Sequence, residues 1–128
     1  CGRLLAVLES IQEEAAKPRK INSTIVDRFY GTASSAPASV FGHLLRGVQA
    51  HLGKLRKEKY GSYIALEKRL EEVQSGLSNF PKTLTMEQQG LFALGYYHQR
   101  AADRAGAIAY RQSQQEAEQE ATEPDGTE

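Results

Sequence analysis

The sequence predicts an all-α fold, a single-domain bundle of about five helices. Three observations carry this reading. Apolar residues recur at spacings of three and four, and the alternation that marks a half-buried strand is nearly absent. Breaks rich in Gly, Pro, Ser, Asn and Thr divide the chain into pieces of helix length. A chain of 128 residues with 40% hydrophobic content is the size of one domain with a real core. There is no tryptophan, so that core must be aliphatic, edged by tyrosine and phenylalanine.

Each element follows from its own residues. Leu4, Leu8, Ile11 and Ala15 share one face of a first helix, which Pro18 ends. The KPRK run at 17–20 is a loop. Ile25, Val26, Phe29 and Tyr30 form a short second helix, capped by Asn22, Ser23 or Thr24 and stopped at Gly31. The stretch TASSAPAS at 32–39 reads as a turn, with Ser34 or Ser35 as cap and Pro37 in the next first turn.

A third helix, about 38–58, gathers Phe41, Leu44, Val48, Leu52 and Leu55 on one face. Tyr60, Gly61 and Ser62 break it. Tyr63, Leu66, Leu70, Val73 and Leu77 then recur as a bundle seam, ended by Gly76, Ser78, Asn79 and Pro81.

Thr85 and Gln88 make a capping box for a last long helix, about 86–112. Leu91, Leu94, Gly95, His98 and Ala102 lie along one side of it, with Phe92, Tyr96 and Gln99 beside them. Tyr97, Arg100 and Arg104 lie on a third face. Gly90, Gly95 and Gly106 here, and Gly42, Gly47 and Gly53 in the third helix, each cost about 1 kcal/mol against Ala. Their pairing predicts a close approach of these two helices. The bundle is thus expected over 1–111, followed at 112–128 by an acidic tail read as frayed helix running into disorder.

Formal net charge is zero, but it is unevenly spread. Six of the 16 acids and none of the 16 bases lie in 112–128, which leaves residues 1–111 with 16 bases, ten acids and a net of +6. A moderately basic body suits a polyanion partner. The single cysteine makes no internal disulfide, so a reducing cytoplasm is the expected home. No apolar run approaches the roughly 18 residues of a membrane span, and no secretory signal is expected. The chain opens on Cys1 rather than Met, so a trimmed, processed or excised chain is expected.

Catalytic and metal chemistry finds little to work with. His43 and His51 are eight residues apart on one helix, about 80° out of phase, and cannot grip one ion together. His51 is expected to flank the apolar face, and His98 to be polar packing. No serine stands on a nucleophile elbow and no phosphate loop is present. The acid pairs Glu13–Glu14 and Glu71–Glu72 diverge by about 100° on a helix and read as solvated faces. No cofactor, metal or enzyme activity is expected. A nuclease would need a metal cluster that these residues do not form.

The bases are the stronger lead. His43, Arg46, Lys54 and Lys57 cluster opposite the apolar face of the third helix, which runs out through Lys54, Arg56, Lys57 and Lys59. A second set is Lys17, Arg19, Lys20 and Arg28, and a third is Arg100 and Arg104. A cationic strip of this kind tracks phosphates without reading bases. The candidate nucleic-acid-binding residues are Arg46, Lys54, Arg56 and Lys57, with Arg100 and Arg104 as a second patch. A solvated helix face kept basic for solubility is the plainer alternative.

The stretches TIVDRFYGTASSAPASVFGHLLRG (24–47), LEKRLEEV (66–73) and FPKTLTMEQQGLFALGYYHQR (80–100) closely resemble the C-terminal region of the large subunit of type I-C CRISPR Cascade, the Csd1 family. A free chain of this size is similar to the small subunit of that complex, which is made by internal translation within the large-subunit gene. The resemblance implies a non-catalytic helical bundle. It implies as partners the backbone subunits that hold guide RNA, the large subunit and further copies of itself. It also implies contact with target DNA or the displaced strand as an R-loop opens, and contact with guide RNA. Base pairing then reads sequence while protein steadies the strand exchange. A purely structural adaptor that touches no nucleic acid is the rival expectation.

Overall fold

A run of five apolar residues at 4–8, LLAVL, sets the architecture. In the computed structural model, which describes residues 1–77 and 79–122, each of these five side chains is 0% exposed. They belong to helix α1, Gly2–Ala16. A helical segment that is apolar on all sides must be enclosed, and this one is: α2 (Ile25–Ser35), α3 (Phe41–Glu58), α4 (Tyr60–Ser75) and α5 (Met86–Thr122) all pack on α1. The expected single face of Leu4, Leu8, Ile11 and Ala15 is buried, and Leu5, Ala6 and Val7 are buried as well. The fold is all-α, with five α-helices and one short 3₁₀ turn, Pro37–Ser39, among the described residues.

The surrounding helices each present one stripe. Phe41, Leu44, Val48, Leu52 and Leu55 of α3 are buried, as their spacing predicts. Leu66, Leu70 and Val73 form the buried stripe of α4. On α5 the buried stripe is Phe92, Tyr96 and Gln99. Leu91 and Leu94 instead face out, at 64% and 56% exposure. The two adjacent stripes of α5 are equally apolar in sequence, and only the position of α1 chooses between them.

The glycine expectation is also corrected. Positions 47 and 53 of α3 face open space, so α3 is not drawn tightly onto α5. The close approach is between α1 and α5. A Cβ on Gly2 would collide with the Phe92 carbonyl, and one on Gly95 would lie 3.5 Å from the Arg3 nitrogen.

Several boundaries differ from the sequence reading. Thr24 is the cap of α2, with a full capping box to Asp27. That helix runs through Gly31 to Ser35, and the Ser34 and Ser35 hydroxyls donate back to the Gly31 carbonyl. Pro37 sits in the 3₁₀ turn rather than in α3. The break before α4 is the single residue Lys59, so Tyr60 already belongs to the helix. The Thr85–Gln88 box is present, at 2.9 and 3.2 Å.

Helix α5 continues ten residues past its expected end. Residues 112–122 are Gln, Glu, Ala, Ser and Thr without Gly or Pro, and the helix meets no breaker there. All of residues 104–122 are exposed. Residues 123–128 of the acidic tail, and Ser78 of the expected α4 terminus, lie outside the described residues. The loop after α4 is tied down by Ala38 N–H donating to the Pro81 carbonyl and by Phe80 stacked on Phe41, centroids 5.0 Å apart.

The enclosure of α1 makes a sharp contrast in mutational cost. Leu5→Ala should cost about 2–5 kcal/mol in urea unfolding. Leu91→Ala, on the apolar stripe of α5 that faces out, should stay within about 0.5 kcal/mol of native. Equal costs would contradict the assignment of the buried face of α5.

Candidate nucleic-acid interface

The bases divide into two groups, and a buried acid on α1 makes the division. Glu9 is 5% exposed. Its Oε1 accepts from the Tyr96 hydroxyl at 2.6 Å, and its Oε2 from the Thr24 hydroxyl at 3.0 Å. The Arg100 guanidinium completes the set, 3.3 Å from Glu9 Oε1. Burial, then the hydrogen bond and charge of Glu9, push the Tyr96 phenol above its ordinary value of 10, so it stays a donor.

Arg100 also donates to Ser10 at 3.1 Å and pairs with Glu13 at 3.3 Å. Next to it, Gln99 accepts from Arg3 and donates to Asp103 at 2.8 Å. Asp103 in turn holds Arg69 of α4 at 3.2 Å. The charge of Arg100 is therefore spent inside the α1–α5 seam. It does not form a free patch with Arg104, which is exposed one turn on.

Glu14 performs the same service on the other side of α1. Burial raises its carboxyl pKa, but Lys17, Lys59 and Ser62 outweigh that and hold it below its usual value. Lys17 lies 2.8 Å away, and Lys59 also reaches the Glu14 carbonyl oxygen at 3.3 Å. Glu13 and Glu14 are thus structural partners of bases, not the solvated pair that their spacing predicts. Glu71 and Glu72 are exposed, in line with the sequence reading.

The second sequence-predicted set splits: Lys17 is paired, while Arg19, Lys20 and Arg28 are exposed and in no ion pair among the described residues, and the larger exposed set is on α3. Arg46, Lys54, Arg56 and Lys57 are all exposed. Among the described residues none of the four is in an ion pair. Glu58, the last residue of α3, is its only acid. Arg46, Lys54 and Lys57 stand opposite the buried stripe, along about 16 Å of helix, and Arg56 lies on the flank. His43 shares this side, its ring edge-on to Phe29 at 6.1 Å. His51 is half-buried beside the apolar stripe, and His98 is exposed. Among the described residues no three His, Cys, Asp or Glu side chains come together as a metal site, and no helix is long and apolar enough to cross a membrane.

Among the described residues the fold is thus an all-α bundle whose α3 carries exposed bases that no carboxylate pairs. The family model for the CRISPR-associated protein Cas_Csd1 matches residues 1–103. The chain belongs to the Csd1 family of CRISPR-associated proteins. No curated protein matches it.

Two measurements test this electrostatic layout. Tyr96→Phe removes the shortest bond to Glu9 and should cost about 1.5–3 kcal/mol in urea unfolding; no loss would mean that Glu9 does not need it. The second concerns His51, whose pKa is held below 6.5 by burial and then by Lys54. The folded chain then binds fewer protons than the unfolded chain below 6.5, so stability falls as pH drops through that value. Between about pH 7 and pH 5, His51→Gln should lose less stability than the native chain. Equal slopes would show that His51 titrates alike in both states.

Proposed function

We propose that this chain is a non-catalytic small subunit of a type I-C Cascade, an RNA-guided DNA surveillance complex. In this reading the outer face of α3 holds nucleic-acid phosphates and so steadies the R-loop. The observation that carries it is the contrast among the bases. Arg69, Arg100, Lys17 and Lys59 are neutralised by carboxylates of the bundle, while Arg46, Lys54, Arg56 and Lys57 have none. A bundle that pairs four of its bases with its own carboxylates and leaves Arg46, Lys54, Arg56 and Lys57 of α3 without one has the equipment for backbone contact without sequence readout. Membership of the Csd1 family supports the setting. Arg104 stays in the proposal as an outlying contact, and Arg100 leaves it.

A second reading has its own observation. Leu91, Leu94, Tyr97 and Ile108 of α5 are 48–64% exposed and share the outward side of one helix. Exposed apolar side chains in a row mark protein contacts. They favour docking on other Cascade subunits, as in a structural adaptor.

One experiment separates the two. Arg46→Glu with Lys54→Glu should weaken single-strand binding by the chain and flatten the slope of log K against log salt by about 1.4, the share of two phosphate contacts. Binding and slope unchanged by the double reversal would leave α3 a solvated face and favour the adaptor.

A further inference from the structure

Next to the cationic strip, α1, α2 and α3 enclose a cleft of about 170 Å³. Its floor is apolar, made by Leu8, Leu44 and Val48. One wall is the Phe29 ring, which has the Arg28 guanidinium 5.1 Å over its centroid and the His43 ring at its edge. Gln12 and His51 add polar groups at the rim. The remaining wall is the bare backbone of α3 at Gly47, where a Cβ would meet nothing within 4 Å.

Each part has a use. An aromatic ring flanked by a guanidinium plane is the pairing that stacks unpaired bases. An enclosed cavity of about 150 Å³ takes one benzene ring, so a cleft of about 170 Å³ matches one six-membered ring better than a fused pair. The missing side chain at Gly47 keeps the entrance open. His43 and Lys54 lie on the same side of α3 as Gly47, so a strand lying on the strip passes the mouth of the cleft.

We propose that this cleft receives one unpaired pyrimidine of a single strand whose phosphates lie along α3. The proposal rests on the nucleic-acid reading of α3 given above. It adds base selectivity to a surface that otherwise reads only charge. The ring is common to DNA and RNA, and the two strand types are distinguished by the test.

The test is fluorescence anisotropy with labelled 15-mers of dT, dA, rU and rA at low and raised salt. The native chain should bind the pyrimidine strand about fivefold to tenfold more tightly than the purine strand, as one stacked base allows. A preference in the dT and dA pair, in the rU and rA pair, or in both identifies the strand that the cleft takes. Gly47→Leu fills the entrance without changing charge. It should abolish the preference and leave the salt dependence intact. Gly53→Leu makes the same change on the same helix at an open position that does not line the cleft, and should behave as native. If Gly47→Leu shifts the unfolding midpoint, Phe29→Leu removes the stacking ring instead and should also abolish the preference. Salt-dependent binding with no pyrimidine preference, or a preference that survives both variants, overturns the cleft alone. Failure of all four strands to bind at low salt overturns the α3 reading and the cleft with it.

Discussion

A carboxylate in the middle of an enclosed apolar helix is the constraint on which the rest of this bundle depends. Glu9 is nearly inaccessible and needs partners, because a buried charge left unpaired is strongly destabilising. Tyr96 and Arg100 supply them from α5, and Thr24 supplies one from the cap of α2. Slippage of α5 by one turn along α1 would strip the carboxylate of two of its three partners. Aliphatic packing alone discriminates weakly between such registers. The polar seam of Glu9, Ser10, Glu13, Gln99, Arg100 and Asp103 therefore sets how α1 and α5 meet.

That seam has a functional consequence. The acids of α1 are held by Arg100 of α5, by Lys59 between α3 and α4 and by Lys17 just past α1, so none is left to neutralise the outer face of α3. Lys17, Lys59 and Arg100 are paired by carboxylates of the bundle, and Arg46, Lys54, Arg56 and Lys57 are not. One set holds the bundle and the other is available to a partner. The long exposed end of α5 adds a second outward surface, basic at Arg104 and Arg111 and acidic at Glu116, Glu118 and Glu120.

Much of this was legible residue by residue. The α3 stripe from Phe41 to Leu55 repeats at helical spacing and is buried in full, and so the opposite basic face was legible too. The Thr85–Gln88 box is a local signal and is present. The Csd1 resemblance, carried by segments between residues 24 and 100, agrees with the family match over 1–103. What sequence hid was long-range. Periodicity found one face of α1, although the unbroken LLAVL run was the available sign of an all-round buried helix. It could not choose between the Leu91 and Phe92 stripes of α5. Arg100 looked like a free cation because Glu9 and Glu13 lie nearly ninety positions away. The cleft at Phe29 joins three helices, and no local pattern announces it.

If α3 is the proposed interface, its lysines are free for an outside partner, while those paired with Glu14 are engaged within the fold. Lysine-reactive footprinting read by mass spectrometry, with and without a saturating single strand, tests it most directly. Lys54 and Lys57 should react readily in the free chain and be protected on binding, while Lys17 and Lys59 should change little. Protection of Lys17 and Lys59 with Lys54 and Lys57 unaffected would contradict it.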